Sequence, residues 1–209
     1  MELIDGHIYD MAAPGTVHQF AVAELTFQFN LYVRSKGGNC RVYPSPIDVQ
    51  LDCDDKTMVQ PDVVVICDRD KIIKRCIYGA PDLVVEILSD STAYKDTVVK
   101  LCKYMLAGVR EYWIVDLKRE KVAVYDATGG SRAGINGADI NVEDENEAAT
   151  NEAGANVPDG NRAGISSRTT IYGMDQPIPV RIFDGDCQIS FDEIREETRR
   201  ILNPSQEDE

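Results

Sequence analysis

The run Leu83-Val84-Val85-Glu86-Ile87-Leu88 places one carboxylate among apolar residues. Taking a carboxylate out of water is costly unless it is paired or bound to a metal, and charged side chains are rarely fully buried alone. Glu86 therefore reads as a metal ligand, or as a structural glutamate held by a salt bridge or standing at a strand end. A second carboxylate, Asp62, opens the preceding apolar run Val63-Val64-Val65-Ile66. It follows Pro61, so a turn residue is the other reading. If the two runs are neighbouring strands, Asp62 and Glu86 approach within a strand spacing of about 5 Å. Two carboxylates that close repel unless a cation lies between them. A hard divalent ion with oxygen ligands, magnesium or manganese, is the natural occupant. Asp82, earlier on the same strand, is roughly 13 Å from Glu86. That is too far to share the ion, and Asp82 reads as a turn or strand-start residue.

Asp96, Lys100 and Tyr104 follow at i, i+4 and i+8. A lysine beside a metal site can stabilise charge building up on a phosphate, or help deprotonate water. Helical geometry offers another reading: Lys100 falls roughly 150° from the centre of the apolar stripe Val98, Leu101, Cys102 and Met105. Asp96–Lys100 then becomes an ordinary surface ion pair. His18 is one of two histidines in the chain, with His7. It reads as a capping or solvated group, or as a catalytic one, and two histidines exclude a multi-histidine metal site.

The elements that must position these groups are legible in outline. Asp5-Gly6 is a tight-turn dipeptide and predicts an N-terminal hairpin. After Pro14-Gly15, Thr16 reads as a helix N-cap, with Gln19 completing a capping box. Val17, Ala21, Leu25, Phe29 and Tyr32 form one apolar helical face, and Gly37-Gly38 ends the helix. Strands are predicted over residues 40–51, bent at Pro44 and Pro46, and over 59–67 and 82–89. Consecutive apolar residues in the latter two suggest burial on both faces. A second helix over residues 91–107 ends at Gly108, and residues 111–116 and 121–126 read as a strand pair. Helix, three strands, helix, strand is a compact α/β pattern.

Residues 127–170 break this rhythm. Asparagine recurs at 136, 141, 146, 151, 156 and 161, and Arg-Ala-Gly-Ile occurs at both 132 and 162. The centres of the five-residue units are Asp, Asp, Ala, Gly and Asp, so no core can form along them. The segment is predicted to be a disordered, low-complexity surface insertion. Residues 171–203 then supply a strand, at 177–183, and a helix capped by Ser190, completing the domain begun by residues 1–126. Residues 204–209 are an acidic tail.

Composition bounds the rest. The chain has 209 residues and a formal charge of −14. Such a charge argues against sequence-independent nucleic-acid binding, which is usually basic. The first 126 residues, however, hold 15 basic and 19 acidic groups, and the remainder 7 and 17. Arg69, Lys71, Lys74, Arg75, Lys95, Lys100 and Lys103 are the core's candidates for meeting phosphate. No apolar run reaches the roughly 20 residues of a membrane span, and the N-terminus has no signal-peptide pattern. Six cysteines without a C-x-x-C pair are expected to be reduced thiols in a cytoplasmic protein.

The flanking text is more specific. Ala80-Pro81-Asp82-Leu83-Val84-Val85-Glu86-Ile87-Leu88-Ser89 is followed by Ser91-Thr92, Asp96, Lys100, Tyr104 and then Gly108-Val109-Arg110-Glu111-Tyr112-Trp113-Ile114-Val115-Asp116. With Pro61-Asp62 and Glu2-Leu3-Ile4-Asp5-Gly6, Met11 and His18, this resembles the Uma-type family of restriction endonucleases in the PD-(D/E)XK nuclease superfamily. The resemblance covers residues 1–126 and resumes over 172–202. It implies a restriction endonuclease-like core, with a mixed central β-sheet flanked by helices, an N-terminal hairpin and a C-terminal helix. It implies an endonuclease that hydrolyses DNA phosphodiester bonds by metal-activated water, with Asp62 and Glu86 as the ligands of Mg2+ or Mn2+. The superfamily's lysine would stand at Leu88; in this family a lysine on the following helix is taken to replace it, and Lys100 matches. Tyr104, His18 and Glu2 match recurrent positions without a defined role. DNA is the expected partner, no membrane is expected, and a homodimer is compatible with this reading. The missing lysine at 88, the charge and the insertion motivate an alternative: an inactive nuclease-fold module that binds nucleic acid or a protein.

Overall fold

The computed structural model describes residues 1–53, 55–89, 95–128, 138–140, 163–165 and 168–202. Expectations for residues 91–94, for most of the Asn-periodic segment and for the tail 204–209 lie outside the described residues.

The strand runs pair as a six-stranded mixed sheet. Asp5 and Gly6 both take positive φ, 50° and 80°, as a two-residue hairpin turn requires, and join β1 (Glu2–Ile4) to β2 (His7–Tyr9). Helix α1 (Thr16–Ser35) leads to β3 (Arg41–Pro44), where the chain leaves the large sheet. It enters a smaller sheet through β4 (Val49–Gln50) and β5 (Met58–Val59), then returns with β6 (Val63–Ile66). After β7 (Ile77–Tyr78) comes β8 (Leu83–Ile87). A π-helical turn (Lys95–Lys100) runs into α2 (Leu101–Ala107), and β9 (Glu111–Asp116) and β10 (Lys121–Asp126) follow. The large sheet has the order β13-β10-β9-β8-β6-β3, with β13 at Arg168–Gly173; the small sheet has the order β2-β1-β5-β4-β7. Only β8 and β9 are parallel in the large sheet, and α2 lies in the crossover that such a pair needs.

Alternation on the central strands divides the core in two. Val63, Val65, Leu83, Val85, Ile87, Trp113 and Val115 point to α1 and the C-terminal elements; Val64, Ile66, Val84, Tyr112 and Ile114 point to the small sheet and α2. On the first face, Phe29 of α1 meets Trp113 edge-on at 5.8 Å. Buried Glu111 accepts hydrogen bonds from Trp113 Nε1 at 2.7 Å and from the Ile182 N–H at 2.9 Å. Burial raises its carboxyl above the usual carboxylate range. This acid ties the C-terminal segment to the sheet.

Several expectations need correction. The N-cap of α1 is Gly15, with no side-chain cap bond; the helix starts one residue early, which places Thr16 in the first turn and leaves the capping box unformed. The stripe expected on the second helix is inward only in part: Met105 is in the core and Leu101 packs against it. Val98 is 45% exposed and Cys102 is exposed, whereas Lys100 and Tyr104 are buried. A π-helical turn does not keep the 3.6-residue period, so the buried face is displaced from the one read from that period. The strand expected at 177–183 is β14 (Ile178–Pro179) followed by a 3-10 turn (Arg181–Phe183). Ile178 and Pro179 pair with β15 (Gln188–Ile189), ahead of α3 (Asp192–Leu202). Ser190 Oγ accepts from the Asp192 N–H at the start of α3. Not all cysteines are reduced. Arg41 faces Ile66 across β3 and β6, so Cys40 and Cys67 fall opposite one another and form a disulfide. Their 27-residue separation gave no hint of that adjacency.

The large sheet resumes at Arg168, which faces Asp126 across β10 and β13. The Asn-periodic segment is thus the connection of an antiparallel hairpin. Within it β11 (Ala138–Ile140) and β12 (Ala163–Ile165) pair in parallel. Replacing residues 129–167 with a short Asn-Gly turn is expected to move the thermal midpoint by less than about 5 °C, since both strands keep their partners. Phe29→Ala, by contrast, is expected to cost about 3–5 kcal/mol in urea unfolding.

Candidate active site

The site is built where β6 begins and β8 ends. Val63 faces Val85 in the antiparallel register, and one further step sets Asp62 opposite Glu86. Both acids line a cleft of about 610 Å³, together with His18, Lys100, Leu88 and the loop at residues 11–15. The register positions them because an antiparallel pair runs its strands in opposite directions: the start of one strand meets the end of the next.

Each acid is held in place. Asp62 Oδ2 accepts from the Ile87 N–H at 2.8 Å and lies 3.2 Å from His18 Nε2. His18 sits in the first turn of α1, so the helix N-terminus faces the cleft beside Asp62. Glu86 is buried, on the sheet face that meets α2 and the small sheet. Its Oε1 accepts from Lys100 Nζ at 2.9 Å and from the Tyr104 hydroxyl at 2.7 Å. Lys100 Nζ also lies 2.7 Å from Glu2 Oε1, and that oxygen accepts from the Gln60 N–H at 3.0 Å. Glu2, Glu86, Lys100 and Tyr104 form one buried cluster in which a single ammonium touches two carboxylates.

The structure therefore brings together all five predicted site residues. Asp62, Glu86, Lys100 and His18 line the cleft, and Tyr104 supports Glu86 from beneath. The side chain of Asp96 is outside the described residues. Asp82 lies at the other end of β8, where it accepts from the Cys67 N–H and pairs with Arg110. Most of the expected phosphate-facing cations are also elsewhere. Arg69, Lys71, Lys74 and Arg75 follow the far end of β6, about 13 Å of strand from Asp62. Lys71 donates to the Ala80 carbonyl, Arg75 to Gln50 Oε1, and Lys103 pairs with Asp5 and Asp52. Sequence reasoning attached no role to Glu2. The available signal was alternation: Glu2 and Ile4 share the inward side of β1, so an acid stands where an apolar residue is expected.

Among the described residues, no group of three or more His, Cys, Asp or Glu is arranged to hold a metal, and no helix is long and apolar enough to cross a membrane. The donors at Asp62 and Glu86 are hard carboxylate oxygens on facing strands. That set suits magnesium or manganese, which take one or two carboxylates and complete their shell with water and phosphate oxygens.

Sheet order and the placement of facing acids at one sheet end define a restriction endonuclease-like core. Residues 1–152 match the Uma2 family, described as "Putative restriction endonuclease", and the chain belongs to that family. None of the curated proteins matches it. Among solved structures it is similar to a "putative nuclease belonging to DUF820" from Anabaena variabilis ATCC 29413, with a TM-score of 0.64 and 16% identity, over 94% of this chain and 90% of that one.

Burial, and after it the charge of Glu86, raise the Tyr104 phenol well above its ordinary value of 10.0. The phenol stays protonated in the fold while the unfolded chain ionises near pH 10, so its contribution is whole below that pH and falls above it. Urea melts at pH 9 and pH 11 check this: the wild type is expected to lose more stability between them than Tyr104→Phe does.

Proposed function

We propose that the protein is a metal-dependent endonuclease that hydrolyses DNA phosphodiester bonds. The observation that carries this reading is the facing pair Asp62 and Glu86, one opening β6 and the other near the end of β8, both on one cleft. Asp62 and Glu86 would hold Mg2+ or Mn2+. When bound, such an ion activates water for attack and offsets charge on the phosphate.

The chain's own residues do the remaining work. Glu86 is fixed by Tyr104 and Lys100, and Asp62 by the Ile87 N–H, so neither acid must reorganise on loading. Lys100 reaches the cleft from the buried side and sets positive charge beside the reacting phosphate, a kind of stabilisation worth about 10²–10³ in rate elsewhere. His18, 3.2 Å from Asp62, can hold or pass a proton at Nε2. The N-terminus of α1 favours a phosphate oxygen through its dipole, which matters in a cleft with so few cations.

A plasmid nicking assay across magnesium and manganese tests the proposal. The wild type is expected to nick only with a divalent ion. Asp62→Ala is expected to lose at least about 10²-fold in rate while keeping its circular dichroism spectrum. Intact plasmid under every condition, or an Asp62→Ala variant that nicks like the wild type, would sink the reading. Retained DNA or protein binding without divalent-ion binding would favour the inactive module instead.

A further inference from the structure

Lys100 is held from two sides by acids of different sheets. Glu2 begins β1 in the small sheet and Glu86 stands in β8 of the large one, yet both carboxylates touch the same ammonium, at 2.7 and 2.9 Å. The Glu2 side chain is 0% exposed and is not among the groups lining the cleft. It cannot touch a substrate there. It is tied instead to both halves of the site, through Lys100 to Glu86, and through the Gln60 N–H to the segment that delivers Asp62.

The charge of this cluster decides what Glu86 can do. An ammonium against a single buried carboxylate makes a neutral pair, and a neutralised carboxylate is a poor ligand for a cation. A second carboxylate on the same ammonium changes the sum. Glu2, Glu86 and Lys100 carry a formal −1, and Asp62 brings the group to −2, the complement of one divalent ion.

We propose that Glu2 is a positioning residue: by sharing Lys100 it leaves the cluster with a net negative charge where Glu86 would meet a divalent cation, and it holds the lysine at the rim of the cleft. The inference rests on the reading of Asp62 and Glu86 as cation ligands.

Calorimetric titration of the full chain with Mn2+ alone tests it, with no nuclease turnover needed. Glu2→Gln keeps an oxygen for the Gln60 N–H and removes only the charge. Mn2+ affinity is expected to fall at least about tenfold, as loss of a nearby, poorly solvated charge implies. Glu2→Asp, which keeps the charge on a shorter stem, is expected to stay within about threefold of the wild type. The double variant Glu2→Gln/Lys100→Met removes both charges and restores the −2 balance, with the Tyr104 hydroxyl still donating to Glu86. Its affinity is expected to return to within about threefold, and it serves as the decisive variant if Glu2→Gln alone does not fold. A purely structural Glu2 predicts otherwise: a lower melting temperature with Mn2+ affinity unchanged, and no recovery in the double variant. Mn2+ binding that disappears in Asp62→Ala yet is untouched in Glu2→Gln overturns this inference alone. Absence of Mn2+ binding by the wild type overturns the ligand reading and this inference with it.

Discussion

One buried ammonium organises the functional end of this protein. Lys100 is 2% exposed, and a charge so far from water persists only against opposite charge with good geometry. Glu86 and Glu2 supply it, and because they belong to separate sheets the ion cluster fixes how the two sheets meet. Tyr104, one turn further along α2, donates to the same Glu86 oxygen. The helix therefore cannot rotate about its axis without breaking both contacts. Removing Lys100 would leave two buried carboxylates uncompensated, a kind of change that typically costs about 3–5 kcal/mol.

Glu111 shows how a buried acid behaves when it serves structure alone. It too is buried, at the start of β9, but its partners are an indole N–H and the backbone N–H groups of Ile182 and Arg181, none of them charged. It faces the α1 side of the sheet, away from the cleft. Glu86 differs in its partners and its outlook: a cation, a phenol and an opening. What separates the two acids is the face of the sheet on which each one falls.

Much of the fold was legible because its strands are short apolar runs bounded by Pro, Gly and Asp, and because Asp5-Gly6 has one favoured conformation. The facing of Asp62 and Glu86 was legible as well, since neighbouring strands leave few registers for two acids at run boundaries. Three things were hidden. The inward side of the second helix was read only in part because, beside Met105, it buries a lysine and a tyrosine, which hydrophobic periodicity scores as exposed. Glu2 meets its partner, Lys100, 98 positions away, on the helical segment that follows β8. The Cys40–Cys67 bond likewise comes from pairing between strands, which no spacing of cysteines encodes.

The junction of β10 and β13 bears on how this chain can vary. Asp126 and Arg168 are neighbours across a ladder, so the intervening connection begins and ends at nearly one point. Closing such a loop costs entropy that grows only with the logarithm of its length. Adding or losing one five-residue unit in a span of about forty changes that cost by roughly 0.1 kcal/mol. The hairpin is a place where the number of repeats can drift between relatives with almost no thermodynamic penalty, while the cleft at the ends of β6 and β8 keeps its shape.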